Sequence, residues 1–295
     1  MSPRLTLIGL CIIVLGAAIA WVLSAPSTIG DAQFAQFPKG NAGAGEQVFW
    51  AGGCASCHAA PKAEGDAKLR LTGGHRFDTP FGVFVAPNIS PDKQAGIGDW
   101  SLRDFANAMK HGVRPDGAHY YPAFPYTTYA RAETQDVVDL IAYLRTLPED
   151  ATPSQGHDVG FPFNIRRSLF GWKVLFASDD WVMADPATDE IARGRYLVEA
   201  LGHCGECHTP RNALGGMQRN AWLTGAPLPS GEGRVPGITP AQLGWSEGDI
   251  AAYLQSGFTP EFDVVGGEMF DVVQNMAKLD DADRAAIAAY LVALP

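Results

Sequence analysis

Two short stretches, Cys54-Ala-Ser-Cys57-His58 and Cys204-Gly-Glu-Cys207-His208, restrict this 295-residue chain more than anything else in it. Each puts two thiols and an imidazole at positions i, i+3 and i+4, which share one face of a helical turn. From that face two cysteines can reach the two vinyl groups of one haem as thioethers, while the histidine turns to the iron; this is the pattern of covalent haem attachment. A redox disulfide needs only Cys-x-x-Cys and leaves the histidine after both boxes unexplained. A zinc site shared by the boxes would have to unite residues 150 positions apart, although each box already has its own histidine. The boxes therefore predict two covalently bound haem c groups, held through Cys54, Cys57, Cys204 and Cys207, with His58 and His208 as proximal iron ligands. The fifth cysteine, Cys11, lies in an apolar run, where it reads as a small hydrophobe.

The rest of the chain follows the boxes as a tandem repeat. Trp100 and Trp245, each opening a helical pattern, are 145 residues apart, and Tyr143-Leu144 and Tyr290-Leu291 are 147 apart. Val137, Leu140, Ile141, Leu144 and Leu147 recur at the helical period, as do Ile287, Tyr290, Leu291 and Leu294. No alternating strand pattern of useful length is present. The expected fold class is all-α, with two tandem domains over 31–150 and 189–295, each folded around its own haem. The 33 glycines and 21 prolines suit long loops wound around a group that supplies order. Between the domains, the connector 151–188 contains Phe-Pro-Phe-Asn-Ile-Arg-Arg-Ser-Leu-Phe-Gly-Trp-Lys-Val-Leu-Phe. That composition is too aromatic for a plain linker and is expected to pack across the domain interface.

The N-terminal segment, 1–30, is of another kind. Leu5 to Leu23 is nineteen mostly apolar residues, with no charge between Arg4 and Asp31. This approaches the roughly 20 residues that span a bilayer as a helix. A cleaved export signal is the competitor, but Leu23 and Pro26 make a poor cleavage site. The expectation is a single-span N-terminal anchor, with the remainder on the periplasmic side of the inner membrane, or released there if the segment is cleaved. The formal charge of −10 argues against a nucleic-acid partner, since phosphate neutralisation requires an excess of Lys and Arg. An acidic face instead steers a basic patch on another protein.

Several longer segments carry a resemblance: Thr79–Phe105, which contains Pro-Asn-Ile-Ser-Pro-Asp and Gly-Ile-Gly-Asp-Trp; Tyr121–Tyr126; the aromatic connector; Cys207–Gly216; and Leu279–Pro295. In these the chain resembles the dihaem and trihaem membrane-anchored cytochrome c subunits that accept electrons from periplasmic alcohol and sugar dehydrogenases. The resemblance implies class I-like cytochrome c domains, a periplasmic dehydrogenase as donor, and a downstream respiratory redox protein as acceptor. The trihaem members carry a third box that has no counterpart here.

A low-spin electron-transfer haem needs a second axial ligand, usually methionine in this class. The resemblance implies a glycine-flanked methionine ahead of the last helix, which selects Met269, after Gly266-Gly267, over Met276. Subtracting 145 from Met269 lands on Phe124 of Tyr121-Pro-Ala-Phe-Pro-Tyr126, where related proteins usually have methionine. Phenylalanine cannot ligate iron, so the first haem has lost this ligand. His119 is one replacement and an open site another; His75, His111 and Met109 complete the candidates. Arg211 is a candidate partner for a haem propionate. Two function classes follow. The first is an electron carrier between dehydrogenase and respiratory chain. The alternative is a haem enzyme, acting on peroxide or a small sulfur or nitrogen compound at an open first haem; a gas sensor is a third reading.

Overall fold

The computed structural model describes residues 3–34, 39–228 and 233–295. Helix α1 (Pro3–Leu23) precedes two runs of elements that follow one order, with one helix, α10, added in the second. The first comprises α2 (Ala42–Ala51), α3 (Cys54–His58), strands β1 (Arg76–Thr79) and β2 (Gly82–Val85), α4 (Leu102–His111), α5 (Tyr126–Tyr129) and α6 (Thr134–Leu144). Helix α7 (Leu169–Phe176) lies in the connector. The second comprises α8 (Asp189–Tyr196), α9 (Gly205–His208), β3 (Ala226–Pro227), β4 (Arg234–Val235), α10 (Pro240–Leu243), α11 (Glu247–Ser256), α12 (Met269–Met276) and α13 (Asp281–Val292). Helix dominates, as expected. The strand-free expectation is corrected at the antiparallel pairs β1–β2 and β3–β4. Four and two residues per strand are too few for alternation to register in the sequence.

Each half is built on a crossing between its first and last helices. Where α2 meets α6, a Cβ on Gly45 would collide with the Asp139 carbonyl and the Tyr143 side chain; where α8 meets α13, a Cβ on Gly194 would collide with Ala286 and Tyr290. Only glycine permits so close an approach. The apolar stripes seen in the sequence line these crossings, with Leu144 and Tyr290 fully buried. Helices α4 and α11 open on the same capping box, Ser101 with Asp104 and Ser246 with Asp249. Each side chain satisfies a backbone N–H that the helix leaves without a partner.

Gly45 and Gly194 are 149 apart, but the boxes that follow are 150 apart. The second half absorbs its extra residue as a π-helical turn over Leu197–Leu201, closed by Gly202 N–H donating to the Leu197 carbonyl. This turn holds Glu199, fully buried, where it accepts from Tyr290 Oη (2.7 Å) and the Val182 and Met183 amides. The matching tyrosine of the first half, Tyr143, packs on the Phe49 ring instead, with centroids 5.3 Å apart.

The expected membrane span falls partly on Leu5, Thr6 and Ala17, whose side chains lie outside the description, and among the described residues no helix is long and apolar enough to cross a membrane. The apolar side chains described on α1, including Ile12, Ile13 and Val14, are exposed.

The connector reaches both halves. Arg166 donates to the His119 carbonyl and lies over the Tyr121 ring, and Lys173 donates to the carbonyls of His111 and Gly112. Trp172 Nε1 donates to Leu214 in the second half.

Candidate functional site

The boxes form short helices, and both present their imidazole in the same way. His58 Nδ1 donates to the Pro87 carbonyl and His208 Nδ1 to the Pro236 carbonyl, each at 2.8 Å. Burial pulls both imidazoles below their ordinary pKa, the proline carbonyl opposing it. The result is a neutral ring with its proton on Nδ1 and a lone pair on Nε2, the form in which histidine ligates iron. The same loops hold the box backbone, through Gly73 N–H to His58 and Gly225 N–H to His208, each at 2.7 Å. These anchoring prolines escaped the sequence reading, although their signal repeats as Pro87-Asn-Ile-Ser and Pro236-Gly-Ile-Thr.

Beside each imidazole stand two free thiols. Burial pushes Cys54 and Cys204 up to about 12. Cys57 rises to about 12 as well, by burial first and by the nearby Cys207 second. Two unpaired thiols and an imidazole with a free Nε2, in one short helix against an apolar core, fit a covalently attached haem at each box. Among the described residues, no three His, Cys, Asp or Glu side chains converge to hold a bare metal ion.

The two boxes face each other. His203, directly before Cys204, donates from Nε2 to the carbonyl of Gly52, two residues before Cys54, at 3.2 Å. Asn275 donates to Ser56 inside the first box (2.7 Å), and Thr128 donates to Glu206 inside the second (2.6 Å). Lys68 clasps Asp271 and Gln274, both at 2.6 Å.

The sixth-ligand candidates are distributed unevenly. Met269 opens α12, half-buried against the core, whereas Met276 at the end of that helix is buried in it. Phe124 is half-buried against the core and stacks with Tyr129. His119 turns away towards the end of α1: its Nε2 donates to the Ser24 carbonyl at 3.1 Å, and its buried Nδ1 has no partner. Met109 is core, and His75 sits 3.9 Å from Glu268. Arg211 pairs with Glu206 and the Gly215 carbonyl.

The hairpins before these positions share one register. Tyr120 N–H donates to Gly112 and Val265 N–H to Gly257, both at 2.8 Å; Arg114 pairs with Ala118 as Thr259 pairs with Asp263. The bridges Val113–His119 and Phe258–Val264 match as well. Every one of these pairs is related by 145 residues, the offset that places Phe124 on Met269.

The cytochrome c family model matches residues 42–148. A protein of Cereibacter sphaeroides described as diheme cytochrome c-type is 53% identical, over 97% of both chains. The fructose dehydrogenase cytochrome subunit of Gluconobacter japonicus is 40% identical over 85% of this chain and 52% of its own length. The cytochrome c subunit of the quinone alcohol dehydrogenase of Gluconobacter oxydans is 35% identical, over 85% of this chain and 54% of its own. The chain thus spans about half the length of these two subunits.

Proposed function

The chain belongs to the dihaem c-type cytochromes, and on that premise we propose that it relays single electrons from a periplasmic dehydrogenase towards a respiratory redox protein. The observation that carries this reading is the doubled arrangement of box, proline carbonyl and free Nε2, with the two boxes in direct contact. The haem units run over 31–150 and 189–295, joined by the connector 151–188. Cys54, Cys57, Cys204 and Cys207 would carry the thioethers, and His58 and His208 would hold iron through Nε2. Bound there, haem supplies a one-electron Fe(II)/Fe(III) couple. The protein fixes the ring tautomers, excludes water and sets the spacing of the two centres. The Gluconobacter relatives are cytochrome subunits, which supports the carrier over the haem-enzyme alternative.

Met269 would supply the second iron's other ligand, and the shared hairpin register supports reading Met269 and Phe124 as equivalent positions. At the first iron the same register brings up Phe124, and the His119 ring is engaged at Ser24. This favours a first haem without a protein sixth ligand over ligation by His119. Lacking thioether sulfur, which stabilises the ferrous state, it is the lower-potential centre of the pair. A membrane anchor at α1 belongs to the same reading. Its support is the exposed apolar surface of that helix and the Arg167 guanidinium 4.3 Å over the Trp21 ring at its end. Nearby, Phe161, Val174 and Leu175 of the connector are exposed as well.

Titrating the reduced protein with carbon monoxide tests the site assignment. Binding at one haem of two is expected; binding at neither would restore His119 or another ligand at the first iron. A denatured protein whose mass shows fewer than two haems would sink the dihaem reading.

A further inference from the structure

The corresponding hairpins, 112–121 and 257–266, have the same backbone and opposite surroundings. In the first half Val113 and His119 are each 2% exposed, because the connector's Arg166 and Lys173 and the end of α1 lie over them. In the second half their counterparts Phe258 and Val264 are uncovered, Val264 being 68% exposed, and Phe270 beside Met269 is exposed too. The turn itself carries the sharpest difference. Gly117 has φ of 78°, in the left-handed region that glycine enters freely; its counterpart is Phe262, φ 65°, with its side chain 84% exposed. A bulky residue at positive φ is strained, and strain of this kind persists where it presents a group for use. Among the described residues, none packs over the Phe262 ring.

Charge identifies what fits there. From Arg234 to Lys278 the sequence holds six carboxylates, at Glu247, Asp249, Glu261, Asp263, Glu268 and Asp271, and no lysine, arginine or histidine between those ends. Two of them, Glu261 and Asp263, flank the aromatic tip directly, and both are exposed. An apolar centre inside an acidic rim suits a protein face with an apolar recess ringed by Lys and Arg, and repels an anionic bilayer. In the first half the matching hairpin is already covered by a segment of that chemistry, aromatic and basic, from this chain's own connector.

We infer that the 257–270 face, centred on Phe262, is the docking surface through which the second haem exchanges electrons with a basic one-electron redox protein. One electron crosses at this contact, the donor iron passing from Fe(II) to Fe(III) and the acceptor iron from Fe(III) to Fe(II). The inference rests on the electron-transfer reading above.

The test uses the full chain in detergent, reduced and mixed in stopped flow with a lysine-rich monohaem cytochrome c as the acceptor probe. Phe262→Gly relieves the backbone and should leave the unfolding midpoint equal or higher. It should lower the second-order rate at least tenfold while leaving oxidation by ferricyanide unchanged. Glu261→Lys with Asp263→Lys should lower the rate with the basic probe and flatten its dependence on ionic strength. A Phe262→Gly rate within twofold of the unmutated protein overturns the surface. So does conversion of a dimer of the unmutated chain to monomer by that substitution, which would make a second copy the occupant. Loss of binding to phospholipid vesicles on the same substitution would make it a lipid contact and overturn the inference equally. If the unmutated protein cannot be reoxidised by ferricyanide at all, the electron-transfer reading itself fails, an outcome distinct from these.

Discussion

The two halves are built on one plan and differ mainly in what they have done with three equivalent places. At the helix crossing, the first half packs Phe49 on Tyr143, and the second buries Glu199 under Tyr290 and two amides. At the position that follows the shared hairpin, 145 residues apart, one has Phe124 and the other Met269. At the hairpin, one surface is covered by the connector and the other is bare. The framework that is common to both comprises the glycine crossing, the capping box, the proline carbonyl and the glycine amide. This is the apparatus for holding a histidine ring still. What varies is the apparatus for setting its potential and its company. A duplicated fold thus separates the requirement to bind a cofactor from the requirement to use it in a particular way.

The comparison breaks most severely if the halves do not load independently. Cys204→Ala with Cys207→Ala should remove one whole haem from the denatured mass and leave the first-half haem in place; retention of both would end the argument. Next in size is the ligand contrast. Met269→Leu should abolish the weak long-wavelength sulfur-to-iron band of the ferric protein and lower the higher of the two potentials. Phe124→Met should add a second such band and raise the lower potential. If Met276→Leu removes the band instead, the register of 145 residues is wrong.

The buried-core contrast is smaller and is read by urea unfolding. Phe49→Ala should cost about 3–5 kcal/mol, as large aromatic truncations in a core do. Glu199→Ala strands the Tyr290 hydroxyl and two amides without their acceptor, at about 3 kcal/mol in all; no loss would mean that the polar network adds nothing. Smallest is the clasp between halves. Lys68→Met removes a partly exposed ion pair and should cost no more than about 1 kcal/mol, most visibly at low salt.

Much of this was legible in the sequence because it repeats. Both boxes and both terminal helices follow from spacing and helical period alone, and the offset of 145 residues aligns Phe124 with Met269, a methionine that the resemblance selects. What stayed hidden depends on geometry that spacing does not encode. The inserted residue before the second box could have lengthened a loop; the helix absorbs it as a π turn, and only then is Glu199 turned into the core. The β1–β2 and β3–β4 pairs are too short to leave a pattern. His119 is a candidate because it is near Phe124 in sequence; that its ring bonds the Ser24 carbonyl, from a hairpin bridged to Val113, is geometry that sequence nearness does not encode. The bare face around Phe262 is invisible without its covered twin, since an exposed phenylalanine is unremarkable until glycine is found in the same turn.

His203 occupies the place that Gly53 holds in the first half, and both backbones are left-handed there, at φ of 41° and 60°. Histidine tolerates that region better than most residues, and its ring is bonded to Gly52 across the gap. With haem at both boxes, the separation that an electron must tunnel is therefore fixed by the fold and does not vary from one encounter to the next. Transit between the irons would then be a first-order event. The bimolecular steps at either end should depend on the concentrations of the partners and the salt between them, while the internal hop should keep its own constant pace.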